Sequence, residues 1–191
     1  MGKQSGGTRT GSASGNSREN MTGNASRQLM DAIQSGKYDK MSYDEQDRLL
    51  AAADREASKL KEDRDSYTDA EWDAMGAYQG SGYERMNDYA SGKTKGDAQT
   101  KALVKEMDSA IARHKLTKDI VVWRGSDKAE NTSGRFVSTS LKASVAEKFH
   151  TGKNMHAYVI PKGTSYLYTE RKGEAEVILP RNFNINKYKI K

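Results

Sequence analysis

The stretch GEAEVILP, residues 173–180, opens with two glutamates one residue apart and continues as an apolar run that ends at a proline. Aliphatic and β-branched residues closed by a proline are typical of a strand. Because side chains alternate between the two faces of a strand, Glu174 and Glu176 are predicted to share one face, roughly 6–7 Å apart. Two carboxylates at that separation repel each other and add nothing to stability. The pair is therefore either the solvent-facing half of a strand or a reactive pair.

Further β-type runs lie on both sides of this stretch. Each is short, rich in β-branched or aromatic residues and bounded by turn residues, and they are DIVVWRG (119–125), GRFVSTS (134–140), MHAYVIP (155–161), SYLYT (165–169) and FNINKYKI (183–190). One helix is predicted among them, over KASVAEKFH (142–150).

The chain up to about residue 116 has helical patterns instead. Ser42 with Glu45 and Thr68 with Glu71 form two capping boxes, and Asp97 is a predicted N-cap. Helices are predicted over 26–36 with Ser26 as its cap, over 42–63, 68–80 and 83–90, and over 97–115 with His114 as a helix-end residue. Helices first and strands second predict an α+β domain with a largely antiparallel sheet system.

Composition limits the domain organisation and the kinds of site. Of the 191 residues 35% are hydrophobic, and residues 1–25 are dominated by Gly, Ser, Thr and Asn. Such a segment buries too little surface to offset its ordering entropy. We therefore predict a flexible tail over 1–25 and one domain over 26–191, helical to 116 and β-rich from 117. With no cysteine, and with three histidines that lack metal-ligand spacing, neither a disulfide nor a metal site is expected.

Charge and hydropathy bear on partners and location. No apolar run approaches the roughly 18 residues needed to span a bilayer, and the N-terminus lacks the apolar segment of a secretory signal. We expect no membrane partner, and action in the cytoplasm of a host or target cell. The formal charge of +6 suits an anionic partner, but the basic residues are interleaved with acidic ones. This pattern favours a mixed-charge surface over a nucleic-acid-binding one.

Two polar groups in the β-rich half are candidates for ligand binding. Arg124 ends an apolar strand and precedes Gly125, so its guanidinium can fork onto a phosphate while the glycine lets a ligand approach the backbone. Ser138 and Ser140 flank Thr139 on another strand and share one of its faces. Each group alone is also compatible with ordinary strand ends and edges.

The pair Glu174 and Glu176 suits the chemistry of glycosyl transfer. The transition state of that reaction resembles an oxocarbenium ion, which a neighbouring carboxylate stabilises electrostatically. A second carboxylate can orient or deprotonate the acceptor, and its neighbour raises its pKa.

The order of these groups resembles a known family. Arg124, then Ser138-Thr139-Ser140, then Glu174-x-Glu176 follow one another within about fifty residues. This resembles the mono-ADP-ribosyltransferase toxin family with its Arg–Ser-Thr-Ser–Glu-x-Glu signature. The resemblance extends to residues that are similar to those of the actin-modifying binary toxins, namely Tyr78, Tyr83 and Asn87 before the first strand and Phe149 after Ser-Thr-Ser.

The resemblance implies a fold and an NAD site. The fold is helices followed by two roughly perpendicular, mainly antiparallel sheets, with NAD bound between them as a co-substrate. Arg124 would hold the NAD phosphate and ribose, and the Gly125 backbone would meet the nicotinamide amide. Ser138 would anchor the catalytic glutamate, while Thr139 and Ser140 shape the strand. The same resemblance implies that Phe149 covers the nicotinamide and that Tyr78, Tyr83 and Asn87 line the approach to NAD.

The resemblance also implies an acceptor. Glu176 would bind the ribose 2′-hydroxyl and stabilise the oxocarbenium ion, and Glu174 would engage the guanidinium of an arginine on a target protein. Tyr168 falls where the family places an aromatic ring that touches the substrate. The family also has a second basic residue after the phenylalanine, which this sequence does not clearly match. The nearest candidate is Lys153, and Gly152 lies where that residue is expected. The loop from Tyr168 to Glu174 is shorter than in the binary toxins, which argues against actin as the target.

We therefore predict an NAD-dependent protein-arginine ADP-ribosyltransferase that is a toxin, an effector or a bacteriophage enzyme. Two alternatives remain at the level of sequence. One is an NAD glycohydrolase, in which water replaces the protein acceptor. The other, from a different class, is a basic nonenzymatic protein that binds nucleic acid or belongs to a virion.

Overall fold

The computed structural model describes residues 24–126, 131–150 and 154–190. Its helices are α1 (Asn24–Gln34), α2 (Tyr43–Arg55), α3 (Asp69–Tyr78), α4 (Tyr83–Ala90), α5 (Ala98–Ala112) and α6 (Ala143–Glu147). Its strands are β1 (His114–Lys115), β2 (Ile120–Arg124), β3 (Val137–Ser140), β4 (His156–Ile160), β5 (Ser165–Thr169) and β6 (Glu176–Leu179). Apart from its last two positions, the predicted tail over 1–25 lies outside the described residues.

The strands form an antiparallel series in the order β1-β5-β6-β3-β2-β4. Within the series β2 pairs with β4 over five residue pairs and β3 with β6 over four, whereas β2 and β3 are joined by the single pair Trp123–Ser140. The sheet therefore has two parts that meet at one seam. The prediction of an α+β fold with helices before antiparallel strands is confirmed.

Local capping signals set the helix starts. The side chains of Ser42 and Thr68 accept from the backbone N–H groups of Glu45 and Glu71, and both capping boxes are complete. Asp97 accepts from the Thr100 N–H at 2.6 Å, so this N-cap is also confirmed. Side chains of these types satisfy backbone donors that the first helical turn leaves without partners.

The predicted cap of the first helix is wrong, and a distant residue takes its place. α1 begins at Asn24, so Ser26 lies inside the helix. The carboxylate of Glu56 accepts from the backbone N–H groups of Ala25 and Ser26 at 2.9 and 3.0 Å. Glu56 follows α2 directly, and α2 ends at Arg55 rather than at the predicted residue 63.

Both faces of the sheet are covered, and helices and strands from both halves of the described chain contribute to the core. Apolar residues of α1 and α2, among them Leu29 and Leu50, pack with Trp123 and with Ala146 of α6. Apolar residues of α3, α4 and α5 pack against Ile178 on one face of β6. Val177 and Leu179 of β6 belong to a third cluster, which also holds Val122, Val137 and Ile160. The helices between residues 26 and 70 are therefore part of the folded core.

Two segments differ from the sequence prediction near strand ends. The run FNINKYKI, predicted as a strand, forms a 3-10 helix over Ile185–Tyr188, because Ile185 inserts fully into the core and Phe183 stacks on Tyr188 at 5.1 Å between ring centroids. α5 ends at Ala112, so His114 lies in β1 and its Nε2 is 2.9 Å from Ser66 Oγ.

Within the described residues, the helices are too short or too polar to cross a membrane.

Candidate active site

A cleft of about 420 Å³ opens at the seam between β2 and β3. The end of α3, the end of β2, strand β3, helix α6 and the turn before β6 form its walls. It contains most of the residues predicted for the site, namely Tyr78, Tyr83, Arg124, Gly125, Ser138, Thr139, Ser140, Phe149, Glu174 and Glu176. Its volume is within the range of about 300–1,000 Å³ that is usual for small-molecule sites.

Arg124 and Ser138 face each other across the seam. Arg124 is the last residue of β2, and its Nη1 donates to the carbonyl oxygen of Ser138 at 2.5 Å. In β3, Thr139 alternates with the two serines and donates its hydroxyl to the Val177 carbonyl at 2.7 Å, within the sheet. The guanidinium is thus held at the cleft wall by this hydrogen bond.

Glu176 is the first residue of β6 and is only partly exposed. Its Oε2 accepts from Nε2 of Gln79 at 2.7 Å. Burial raises the pKa of Glu176 and the charge of Glu174 adds to this, while hydrogen bonds from Gln79 and Ser138 and the charge of Arg124 act in the opposite direction. A carboxylate with little solvent around it acts more strongly on a nearby positive charge than it would in water.

Glu174 reaches the same cleft by a different route from the predicted one. It follows the 3-10 helix Arg171–Gly173 in a helical conformation, and Ala175 has a φ of 45°, so the strand starts only at Glu176. Ser140 holds this turn by donating its hydroxyl to the Glu174 carbonyl at 2.7 Å. The two carboxylates line one cleft because the chain turns at Ala175, and the prediction that strand alternation places them is wrong.

Tyr78 and Asn87 form a buried support behind the cleft wall. The hydroxyl of Tyr78 lies 3.2 Å from Ser138 Oγ and 3.3 Å from the Phe136 carbonyl. Nδ2 of Asn87 donates to that hydroxyl at 3.3 Å, and its Oδ1 accepts from the Phe136 N–H at 2.9 Å. Asn87 is 0% exposed and is not among the residues that line the cleft. It was predicted to bind the cofactor, and in this structure it supports Tyr78 instead.

Tyr168 also lies away from the cleft. It pairs with Val177 in the β5–β6 register and belongs to the same apolar cluster as Val177, on the opposite face from Glu176. Its hydroxyl donates to Glu170 at 2.7 Å. The prediction that Tyr168 touches the substrate is not supported, because strand alternation turns its ring into the core.

α6 and Gly125 form the remaining wall. A Cβ at Gly125 would clash with the Ala146 carbonyl oxygen, so only glycine lets the chain pass this close to α6. Phe149 follows α6 and is 56% exposed at the rim of the cleft. Asp54 of α2 accepts hydrogen bonds from the backbone N–H and hydroxyl of Ser144, which fixes the start of α6. Gly152 and Lys153, the predicted second basic position, lie outside the described residues.

Some residues of the site had no signal in the sequence. Gln79 is the main one, because it contacts Glu176 from a position 97 residues earlier in the chain. Val145 and Ala146 also line the cleft. Their only signal was the helical pattern of α6.

Among the described residues, no group of three or more His, Asp or Glu side chains is arranged to hold a metal ion.

Comparison with solved structures identifies the fold. The chain is similar to the enzymatic component C2-I of the C2-toxin from Clostridium botulinum, with a TM-score of 0.55 and 15% identity over 66% of this chain and 41% of that one. It is similar to exoenzyme S from Pseudomonas aeruginosa bound to Carba-NAD, with a TM-score of 0.52 and 18% identity over 81% and 76%. A further ADP-ribosyltransferase from Clostridium botulinum has a TM-score of 0.51 and 17% identity over 74% and 85%. The fold is therefore the one shared by these proteins.

A curated relative adds a likeness in sequence. The NAD(+)--arginine ADP-ribosyltransferase EFV of Enterococcus faecalis is 34% identical over 97 residues, which are 42% of this chain and 20% of that protein. This chain thus covers about a fifth of the length of that relative.

A family model gives the assignment. The model described as ADP-ribosyltransferase exoenzyme matches residues 24–135, which are more than half of the chain. The matched part contains α1 to α5, β2 and Arg124, and it ends before Ser138 and Glu176. The family that the sequence resembled is confirmed, and the chain belongs to the ADP-ribosyltransferase exoenzyme family.

Proposed function

We propose that this protein is an NAD-dependent mono-ADP-ribosyltransferase that transfers ADP-ribose to an arginine side chain of a target protein and releases nicotinamide. The observation that carries the proposal is the convergence of Arg124, Ser138, Glu174 and Glu176 on one cleft. We also propose residues 26–191 as the catalytic unit, since its core clusters join helices and strands from both halves. It would act as a toxin, effector or bacteriophage enzyme in the cytoplasm of a host or target cell.

The cleft offers complementary groups for NAD. Arg124 presents its guanidinium at the end of β2, where it suits a phosphate oxygen. Phe149 offers an exposed ring at the rim that can cover the flat nicotinamide, and the ring of Tyr83 also lines the cleft. Gly125 lines the cleft and is partly exposed, so its backbone can meet the nicotinamide amide. These groups would fix NAD with its nicotinamide–ribose bond near Glu176.

Glu176 would act where that bond breaks. As the bond between nicotinamide and the anomeric carbon breaks, nicotinamide leaves as a neutral molecule with the bonding electron pair, and positive charge develops on the ribose. The half-buried carboxylate of Glu176 stabilises that charge, and it can also accept a hydrogen bond from a ribose hydroxyl. Ser138 and Gln79 hold the carboxylate in place.

Glu174 would select the acceptor. A carboxylate pairs bidentately with a guanidinium, which suits arginine better than other acceptors. A guanidinium nitrogen would form the new bond to the anomeric carbon, and the proton that it loses would pass to Glu174 or to water. The name of the Enterococcus relative, an arginine ADP-ribosyltransferase, agrees with this acceptor.

The test is incubation of the purified protein with NAD labelled in its adenylate part and with bacterial or eukaryotic lysate. Wild type is compared with Glu174→Gln, Glu176→Gln and, as a matched control, Glu170→Gln, which changes a glutamate on the same turn that contacts Tyr168 outside the cleft. We expect label on a discrete protein with wild type and with the control, and loss of that label with the other two variants. Hydroxylamine at neutral pH, which cleaves arginine linkages, should remove the label.

Other outcomes would replace the proposal. Nicotinamide release without labelled protein in any lysate would favour the NAD glycohydrolase. A folded protein that neither binds nor consumes NAD would exclude both enzymes. Binding to nucleic acid that falls steeply with salt would then support the nonenzymatic alternative.

A further inference from the structure

The side chain of Gln79 makes a direct contact with the candidate catalytic carboxylate. Its Nε2 donates to Oε2 of Glu176 at 2.7 Å. An amide donor on an ionised carboxylate forms a charge-assisted bond, about twice as strong as one between neutral groups. Because an amide nitrogen donates and cannot accept, this bond favours the ionised form of Glu176.

The backbone at Gln79 is fixed by the way α3 ends. The N–H of Gln79 donates to the Met75 carbonyl at 2.9 Å, and the N–H of Gly82 returns to the Ala77 carbonyl at 3.0 Å. A Cβ at Gly82 would lie only 2.6 Å from the oxygen of Ala77, so glycine permits this close turn. Tyr78, the last residue of α3, is fully buried. Gln79 therefore extends from a rigid element, as a precisely held side chain requires.

The side chain of Gln79 has open space beside it. Besides the cleft, it lines a neighbouring cavity of about 490 Å³ together with Trp72, Gly76 and Arg171. Tight packing therefore does not determine where the amide points. We attribute the orientation of the amide to its hydrogen bond with Glu176, and we expect substitution at this position to leave the core unchanged.

Several charged or titratable groups face Glu176 from the surrounding elements. Glu174 lies on the turn before it, Arg124 at the end of β2, and the buried Tyr78 at the end of α3. From β5, Thr169 pairs with Glu176 and contacts the carboxylate of Glu62 at 3.0 Å. Burial and the acidic groups oppose the charge of Glu176, and Arg124 is the only one of these groups that is a cation. Gln79 and Ser138 both donate hydrogen bonds to the carboxylate, and these bonds favour its ionised form.

We infer that Gln79 is a positioning residue that holds Glu176 as an oriented, ionised carboxylate before the substrate binds. The inference rests on the function proposed above and adds a residue that lies outside the arginine–serine–glutamate pattern of the sequence. Gln79 acts through Glu176 and joins the end of α3 to the start of β6. Loss of the Gln79 amide would leave the other residues around Glu176 in place but would make the carboxyl group easier to protonate.

The experiment compares Gln79→Met, which keeps length and shape without the donor, with wild type. Gln46→Met is the matched control, because Gln46 also donates from a helix at 2.8 Å, to the Tyr38 carbonyl, away from the cleft. The carboxyl of Glu176 is titrated by NMR with ¹³C-labelled glutamate, and its signal is assigned by its absence in Glu176→Gln. NAD consumption is measured from pH 4 to pH 9 on the same samples.

Loss of the donor should raise the pKa of Glu176. We expect a rise of about one unit in Gln79→Met, and the acid limb of kcat should move to higher pH by the same amount. Turnover should fall by about tenfold at pH values below the wild-type pKa of Glu176, and by progressively less as the pH rises above the pKa of the variant. The thermal midpoint should stay close to that of wild type, since the side chain packs beside an open cavity.

Two results would overturn the inference. One is a Glu176 pKa that is the same in Gln79→Met and wild type, and the other is an equal shift in Gln46→Met. The titration does not depend on catalysis, so the two proposals can fail separately. A shifted pKa in a protein that never consumes NAD would refute the proposed function, whereas consumption with an unshifted pKa would refute the role of Gln79.

Discussion

Glu71 provides a quantitative test of how α3 is anchored. It is 1% exposed, and its carboxylate accepts from Nε of Arg113 at 2.9 Å, from Ser109 at 2.7 Å and from the Thr68 N–H at 2.8 Å. Burial by itself would raise the pKa of Glu71, but these hydrogen bonds and the charge of Arg113 outweigh it and lower the pKa to about 2. The carboxylate thus joins the start of α3 to the end of α5.

The pKa shift sets the size of the effect. A fall from 4.5 to about 2 corresponds to roughly 3 kcal/mol of stability at neutral pH. Arg113 keeps a side-chain exposure of 37%, so it regains part of its hydration when its partner is lost. We therefore expect Glu71→Gln to lower the free energy of unfolding by about 2–3 kcal/mol at pH 7.

The dependence on pH follows from the direction of the shift. Because the folded protein holds the proton less tightly than the unfolded chain, the stabilisation is complete above about pH 5 and is lost as the pH falls toward 2. The difference between wild type and Glu71→Gln should therefore narrow over that range. Urea unfolding followed by circular dichroism at several pH values measures both quantities.

An exposed ion pair of the same length is the control. The distance from Lys93 Nζ to Asp88 Oδ2 is 2.9 Å, the same as that from Arg113 Nε to Glu71 Oε2. The side chain of Lys93, however, is 71% exposed. We expect Lys93→Gln to cost about 0.5 kcal/mol or less. The reasoning is refuted if Glu71→Gln costs no more than Lys93→Gln, or if its effect is the same at pH 7 and pH 3.

Three further predictions concern the cleft walls. Gly125→Ala should lower the thermal midpoint by several degrees and raise KM for NAD, because its Cβ would clash with the Ala146 carbonyl. Asp54→Ala should cost about 1 kcal/mol in urea unfolding and raise KM more than it lowers kcat, because Asp54 fixes α6 through Ser144. Phe149→Ala should raise KM for NAD by about tenfold in steady-state assays without loss of stability, since the ring is 56% exposed at the rim.

Each of these predictions has a result that contradicts it. Unchanged stability and KM in Gly125→Ala would mean that the chain does not pass α6 as closely as described. A fall in kcat with constant KM in Asp54→Ala would show that α6 serves the chemical step rather than binding. If Phe149→Ala binds NAD as wild type does, its ring has no part in the site.

Local sequence determined much of the fold. The capping boxes at Ser42 and Thr68 and the N-cap at Asp97 start the helices where predicted, because a cap needs only groups within three residues of one another. The antiparallel strands followed in the same way from alternation and turn residues. Among the exceptions are Ser26 and the run FNINKYKI, where a distant carboxylate and insertion of Ile185 into the core override local preference.

The sequence also predicted which residue types the cleft contains, but not all of their positions. Arg124, Ser138 and Glu176 line one cleft, as the family resemblance implied, but the strand order that brings them together was not predicted. Asn87 and Tyr168 have the predicted spacing but face the core.

Tertiary structure decided the contacts between distant parts of the chain. Glu174 enters the cleft because a backbone turn at Ala175 brings it there. Gln79 enters it because the end of α3 lies within hydrogen-bonding distance of Glu176, the first residue of β6. A cap or a strand face depends on neighbours within a few residues, so the sequence alone determines it. A hydrogen bond that joins residues 79 and 176 exists only after the helices and the sheet have packed, because the core between them joins α3, α4 and α5 with β5 and β6.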